Sequence, residues 1–373
     1  MRSRSRRILS DNFGCLGAKG RCQSFLTSRY SKRMRARETP AGAGVATRAV
    51  VDDDDGASMG RKLAVVTGAN SGIGKETVKS LVAAGYDVVM ACRNADAAME
   101  TKRTIAGEVT GTESQMSVLP CNLSSLSSIR AFAEAFREKH GKLDLLVNNA
   151  GVMMIPDLRN TEDGFEEHWG VNYLSHFHLT SLLFPSLLES PSSRIVNVSS
   201  AANSFGNLDS MNAMFSKDSS SYDAWQAYGN SKLGNLMFTF ELDRKLRGAG
   251  IENIAVNAVH PGLVKTNLGR YMNPLVTQFF KLLPEFFVLS PETGARTQVD
   301  VALSDSFEGV SGKYFADQTF KLQPGTYAEE NVVVNKLAKD QGELSKLWEY
   351  SNQVTESKWD AIEEVSRLVD SKV

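Results

Sequence analysis

The chain is poorly supplied with the residues that build metal sites or disulfide frameworks. It has four cysteines in 373 residues. Cys15 and Cys22 lie in the first fifty, and Cys92 and Cys121 show no C-x-x-C or zinc spacing. That argues against disulfides and a structural metal, and fits a reducing compartment. The five histidines include His176 and His178 in "HFH", with no H-E-x-x-H pattern, so packing or capping is their expected role and no metal is expected. No apolar run approaches the roughly 18 residues that a membrane-spanning helix needs. Between residue 61 and about 350 no Pro-rich linker, internal repeat or low-complexity segment marks a division.

Acid is scarce at the start. Residues 1 to 50 carry twelve Lys/Arg against only Asp11 and Glu38, a balance of +10 in a chain whose net charge is -1. The remainder is therefore strongly acidic, beginning with the run Asp52 to Asp55. An Arg- and Ser-rich, acid-poor opening without an apolar core reads as an organelle transit peptide rather than a secretory signal. Residues 1–58 are assigned to that leader and a disordered linker, with the chloroplast as the expected destination and the mitochondrion as the alternative. A disordered basic tail for an anionic surface is the competing reading. No nucleic-acid partner is expected.

From residue 61 the pattern alternates. Short β-branched apolar runs recur at 63–67, 87–91, 116–120, 143–147, 194–198 and 254–259, separated by longer segments with helical spacing. Such alternation predicts an α/β fold with a parallel sheet covered on both faces. One domain is expected over 59–350, followed by a helical tail over 351–373. Ligands of such sheets bind beyond the carboxyl ends of the strands, so residues just after each run are the candidates for chemistry.

The first run leads into "TGANSGIGKE". Gly68, Gly72 and Gly74 allow a tight turn and close approach of backbone to a pyrophosphate, with Asn70, Ser71 and Ile73 in the same cradle. The helix that follows presents free N–H groups to the phosphates. The second run ends at Cys92 and Arg93, with no carboxylate to hold a ribose hydroxyl and a guanidinium suited to a 2′-phosphate, which favours NADP(H). Asn122 and Leu123 end the third run, where Asn122 would cap the next helix or meet an adenine. Asn149, Ala150 and Gly151 form a small-residue turn after the fourth. Pro261, Gly262 and Thr266 follow the sixth. Tyr228 and Lys232, four apart in "AYGNSKLGN", would be neighbours on a helix, with Gly229 and Asn230 between them given no role.

Taken in order, "TGANSGIG", "NNAG", the Asn of "GVNYLSHF", "VNVSS", "YGNSK" and "HPG" resemble the short-chain dehydrogenase/reductase superfamily over about residues 61 to 320. "MACRN", "HPGLVKTNLGR" and "GVSGKYF" are similar to its retinol dehydrogenase-like and protochlorophyllide reductase-like branches. The resemblance implies a Rossmann-type, doubly wound, seven-stranded sheet and a catalytic tetrad of Asn172, Ser200, Tyr228 and Lys232. Tyr228 would exchange the proton, its pKa lowered by Lys232 and the oxidised nicotinamide. Lys232 would also grip the nicotinamide ribose, Ser200 would orient the carbonyl, and Asn172 would support a relay water.

The implied function is hydride transfer between NADP(H) and a lipophilic alcohol or carbonyl compound. Light-dependent protochlorophyllide reduction is the enzymatic rival. Leu263 stands where that branch usually has cysteine, and its longer insertion is missing. An NADP(H)-sensing subunit of an organelle membrane complex is the non-enzymatic alternative. The insertion 203–221 suggests a roomy apolar pocket. Residues 271–290, with Phe279, Phe280, Leu282, Leu283, Phe286 and Phe287, would pack on their own domain or make a peripheral membrane contact. A homo-oligomer is expected, since many relatives form dimers or tetramers.

Overall fold

The computed structural model describes residues 60–208, 221–271, 288–316 and 333–357. The leader, most of the insertion, the phenylalanine-rich part of 271–290 and the last sixteen positions of the tail lie outside the described residues.

Seven strands form one all-parallel sheet: β1 (Leu63–Thr67), β2 (Asp87–Cys92), β3 (Met116–Pro120), β4 (Leu145–Asn148), β5 (Ser193–Val198), β6 (Ile254–His260) and β7 (Lys313–Ala316). Their order in space is β3-β2-β1-β4-β5-β6-β7. This is the Rossmann-type doubly wound arrangement, with the order reversing between β1 and β4. Seven helices are described: α1 (Gly72–Ala83), α2 (Ala95–Glu108), α3 (Leu126–Lys139), α4 (Ser175–Leu188), α5 (Ala224–Gly248), α6 (Pro291–Leu303) and α7 (Gln341–Thr355). No described helix is long and apolar enough to cross a membrane.

The strands explain their own placement. Successive side chains point to opposite faces, so on β1 Val65 enters one core while Ala64 and Val66 enter the other. The first core gathers α3, α4, α5 and α7; the second gathers α1, α2 and α6. Because both faces are covered, the strands are almost uniformly apolar.

Helix starts are set by local chemistry. Asn94 accepts from Ala97 N (2.9 Å) at α2, Asp223 from Gln226 N (2.8 Å) at α5, and Ser290 from Thr293 N (3.1 Å) at α6. At α3 the cap comes from a distance, since Asp163 Oδ2 accepts from Leu126 N at 2.8 Å. At α1, Ser71 makes no capping bond and the first turn holds no acid. That start is left open toward the switch point. Helix α7 runs across residue 350, where the sequence reading ends the domain, and buries Leu344, Leu347 and Trp348 in the first core.

Candidate active site

One cleft of about 1010 Å3 opens at the carboxyl ends of the strands. Gly68 and Gly72 adopt φ of +64° and +55°, a region that side chains with a Cβ rarely enter. Gly74 is constrained differently: a Cβ there would overlap the Gly68 carbonyl and sit 2.6 Å from Asn149 Nδ2. Asn149 in turn donates to Thr67 O at 2.7 Å, so the glycine turn and the "NNAG" turn are packed as one unit. A Cβ on Gly72 would lie 3.1 Å from Thr266 Cγ2, which closes the turn from the β6 side. With Asn70, Ser71 and Ile73 beside it on the cleft wall, the uncapped start of α1 offers backbone N–H groups and a partial positive charge. These residues fit a pyrophosphate.

Arg93 is exposed on the cleft wall, and no carboxylate pairs with it among the described residues. Cys92 and Cys121 are buried free thiols, with burial pushing Cys92 up to about 11 and Cys121 up to about 12, so neither is a nucleophile. Asn122 and Leu123 also line the cleft. Asn122 does not cap α3. Its Oδ1 accepts from Ser124 N at 3.2 Å and its Nδ2 donates to Glu162 at 2.8 Å, while Ser125 occupies the cap position.

Ala150, Gly151, Ser200, Tyr228, Lys232, Pro261 and Gly262 line the same cleft. Asn172 stands behind it, fully buried, on a π-helical turn from Trp169 to Leu174. Such turns are uncommon and often mark functional positions. The Asn172 amide makes a two-point contact with Val152, accepting from its N–H (2.7 Å) and donating to its C=O (2.9 Å), and donates also to Ser231 Oγ (2.9 Å). A Cβ on Gly151 would come within 3.2 Å of Asn172 Oδ1 and 3.8 Å of Lys232 Nζ. The absence of a side chain at Gly151 is what lets these groups converge.

Lys232 Nζ donates to Val198 O at 2.9 Å and lies 5.7 Å from the Tyr228 ring centroid. Burial lowers its pKa to about 8. Tyr228 is pushed up to about 12, chiefly by burial, with a hydrogen bond from Ser200 acting in the opposite direction. The sequence reading expects Lys232 and the oxidised nicotinamide together to lower this pKa; Lys232 alone does not, for two reasons. The ammonium is turned to a carbonyl and to the ring rather than the hydroxyl, and desolvation outweighs the Ser200 bond. The two adjacent serines have separate positions. Ser199 Oγ is engaged with Lys232 O at 2.8 Å, while Ser200 lies beside the phenol.

Several further side chains take part. His176 places its ring nitrogens 2.9 Å from Asn172 O and 2.9 Å from Thr67 Oγ1. Thr67 Oγ1 also accepts from Asn149 N (2.9 Å) and Ala150 N (3.0 Å), joining the tetrad's backbone to the cofactor turn. On α6, Gln298 donates to Thr77 of α1 and lies 3.4 Å from Asn149 Oδ1. Beside the Tyr228 ring, His168 lies edge-on with centroids 6.2 Å apart, bonded to the buried Glu166 at 2.6 Å, and Tyr222 donates to Ile155 O at 3.1 Å. Thr67 and His176 stand inside the quoted stretches "TGANSGIGKE" and "GVNYLSHF" without being singled out there; Gln298, Tyr222 and the contact of His168 with Tyr228 depend on partners far away in sequence.

The geometry has counterparts. Residues 62–275 match the family model for short chain dehydrogenases. Mouse (Mus musculus) retinol dehydrogenase 14 is 39% identical over 305 residues, covering 79% of this chain and 85% of the relative. Human (Homo sapiens) retinol dehydrogenase 11 is 44% identical over 258 residues, covering 69% and 77%. Among solved structures, the Pseudomonas aeruginosa RhlG/NADP active-site complex superposes with a TM-score of 0.54 at 26% identity, covering 69% of this chain and 95% of that one. With a dinucleotide cradle at the switch point and a buried tyrosine and lysine facing it, the chain belongs to the short-chain dehydrogenase/reductase family, as a retinol dehydrogenase-like, NAD(P)-dependent oxidoreductase.

Proposed function

We propose that the protein transfers hydride between NADP(H) and the carbonyl or alcohol carbon of a lipophilic substrate. The observation that carries this reading is that one cleft is lined both by the glycine cradle and by Ser200, Tyr228 and Lys232, with Met153, Val171, Phe205, Trp225 and Leu268 also on its wall. Bound in the cradle, the reduced nicotinamide supplies the hydride. The Tyr228 phenol, protonated at neutral pH, donates its proton to the substrate oxygen, so that C=O gains one hydride and one proton to become an alcohol. Ser200 orients that oxygen and stabilises its developing charge. Lys232, a cation at neutral pH held by Val198 O and 5.7 Å from the Tyr228 ring centroid, would hold the nicotinamide ribose and lend positive charge to the tyrosinate left behind. The Asn172 carbonyl, already engaged by His176, is the group this reading assigns to hold a relay water.

The preference for NADP(H) is supported by Arg93 at the end of β2, the lack of a carboxylate there, and the NADP named in the RhlG complex. A lipophilic substrate is supported by the apolar wall and by the retinol dehydrogenases among the relatives. The leader's composition supports import into an organelle, the chloroplast first and the mitochondrion second, which a fluorescent fusion of residues 1–58 would report.

The test is a panel of retinal, aliphatic aldehydes, quinones and steroid ketones with NADPH and NADH in parallel. We expect turnover with NADPH, a loss of about 10²–10⁴-fold in Tyr228→Phe, and retained NADPH binding in that variant. Arg93→Glu should weaken NADPH more than NADH. An NADH preference in the native protein would overturn the role of Arg93. Tight NADPH binding with no carbonyl turned over would overturn the enzymatic reading.

A further inference from the structure

Glu166, His168 and Tyr222 form a polar cluster against the Tyr228 ring, and the chemistry above uses none of them. The turn that holds Gly164 at φ +88° is closed by a bridge between Asn160 and Glu166, which delivers Glu166 to the start of the helical segment carrying Asn172. There its buried carboxylate accepts from His168 N (3.0 Å) and Trp169 N (2.8 Å). A serine or aspartate would cap as well. What a cap does not need is the imidazole. Ile155 N can only donate, so the fully buried His168 accepts from it at Nε2 (3.3 Å), and the ring proton is left on Nδ1, 2.6 Å from Glu166 Oε1. Tyr222, two residues before the start of α5, closes the cluster: its hydroxyl donates to Ile155 O (3.1 Å) and lies 3.3 Å from Glu166 Oε1. Burial and the Glu166 carboxylate push its pKa up, so that hydroxyl keeps its proton.

Between two fixed points the chain makes a strained bend. Asn172 holds Val152 at both its N–H and its C=O, while His168 and Tyr222 hold Ile155 at the same two groups. Met154, between them, has φ of +58° without being glycine, a backbone state that persists only where the surroundings over-determine it. Met153 beside it lines the cleft together with Tyr228. One cluster therefore ties together the Asn172 segment, the Val152–Ile155 bend and the approach to α5, and its imidazole rests edge-on against the Tyr228 ring, centroids 6.2 Å apart. Stability alone does not call for this, because apolar side chains of the same volume often serve a core as well as a buried carboxylate and its partner, or better.

We propose that Glu166, His168 and Tyr222 are positioning residues for the reaction: by gripping Ile155 and backing the Tyr228 ring, they hold the proton donor and the Met153 stretch of the cleft wall in one mutual geometry. None of the three lines the cleft, so their effect passes through Tyr228 and the bend. The inference rests on the hydride-transfer reading and adds residues to it that touch neither substrate nor cofactor. A displaced proton donor slows the chemical step far more than it weakens binding.

The measurement is the rate of NADPH oxidation in a single turnover, on a carbonyl compound that the native protein reduces, beside the NADPH dissociation constant and the urea midpoint. Tyr222→Phe keeps the ring and removes only the hydroxyl, and should slow that turnover about three- to tenfold. His168→Phe should slow it by up to about a hundredfold. NADPH affinity should stay within about twofold of native in both, as expected for residues that act on the chemical step. His168→Gln, whose amide can accept from Ile155 N and donate to Glu166, should recover about threefold or more over His168→Phe. Because the cluster acts as a unit, Tyr222→Phe should add little in the His168→Phe background. A purely structural role would move the urea midpoint and leave the folded protein's single-turnover rate native. That result in Tyr222→Phe and His168→Gln overturns the proposal, even where His168→Phe fails to fold. A native protein inactive on every carbonyl sinks the hydride-transfer reading and this one with it; an active native protein matched by its variants sinks this one alone.

Discussion

His176 connects two parts of the site through a single ring. Thr67 Oγ1 accepts two backbone N–H groups, and its own proton can go to His176 Nε2 (2.9 Å) or to the more distant Val147 O (3.4 Å); the shorter contact leaves Nδ1–H to donate to Asn172 O. A neutral imidazole satisfies every partner in that arrangement. Burial, with Lys232 adding to it, lowers its pKa from 6.5 to about 4. The unfolded chain therefore binds a proton between these values and the folded protein does not, so stability falls as pH drops from about 6.5 toward about 4. Urea unfolding across that window should show a shallower slope in His176→Gln; some slope remains because His178 and His260 are depressed in the same direction. Lys232, lowered from 10.5 to about 8, acts over a higher window: its contribution to stability should rise from about pH 8 toward 10.5, against the opposite slope that the raised thiols of Cys92 and Cys121 add above about pH 9. Lys232→Met should lack that rise, so an equal pH slope in the two proteins would contradict the burial of the charge. At this scale the sequence showed the right side chains but not their electrostatics. A tyrosine–lysine pair at i,i+4 is legible; that the lysine would face Val198 O instead of the phenol depends on a strand end 34 residues away.

The elements were the most legible part. Six of the seven strands begin and end within two residues of β-branched runs visible in the sequence, because a sheet covered on both faces needs continuous apolar strands. β7 is four residues long and entered only through the family resemblance. The π-helical turn was not legible, since "WGVNYL" has ordinary helical spacing; what singles it out is tertiary, the pull of Val152 and Ser231 on Asn172. Of the two roles the sequence left open for Asn122, helix cap or adenine contact, the first falls for a similar reason: Asp163, 37 positions away, serves α3. The glycine turn makes a sharp expectation. Gly74→Ala should weaken NADPH binding roughly ten- to a hundredfold, since overpacking by one methyl costs about 1–3 kcal/mol, and fluorescence titration of NADPH would measure it. Binding unchanged would mean that the turn and Asn149 can part without harm to the cradle.

At the scale of the molecule, the C-terminal helix is part of the core that backs the site. Trp348 packs on Phe177 (centroids 5.1 Å) and Phe238 (6.2 Å), and Ser351 lies 2.6 Å from the hydroxyl of Tyr173, the neighbour of Asn172. The sequence reading assigned this segment no chemistry, and its periodicity could not show which face it would cover. Trp348→Ala should lower unfolding stability by about 3–5 kcal/mol, read by chemical denaturation, with a smaller loss if the aromatic cluster closes over the gap. The same packing orders events during synthesis. A domain generally folds as a unit during synthesis, so β1, β2, β4 and the glycine turn, all made by residue 151, join the finished core only when its later elements have emerged. The support behind Asn172 waits for residues 341–355, more than a hundred positions after Tyr228 has been made. The cradle and the tetrad therefore become available together, late in synthesis, and the placement of one helix sets when.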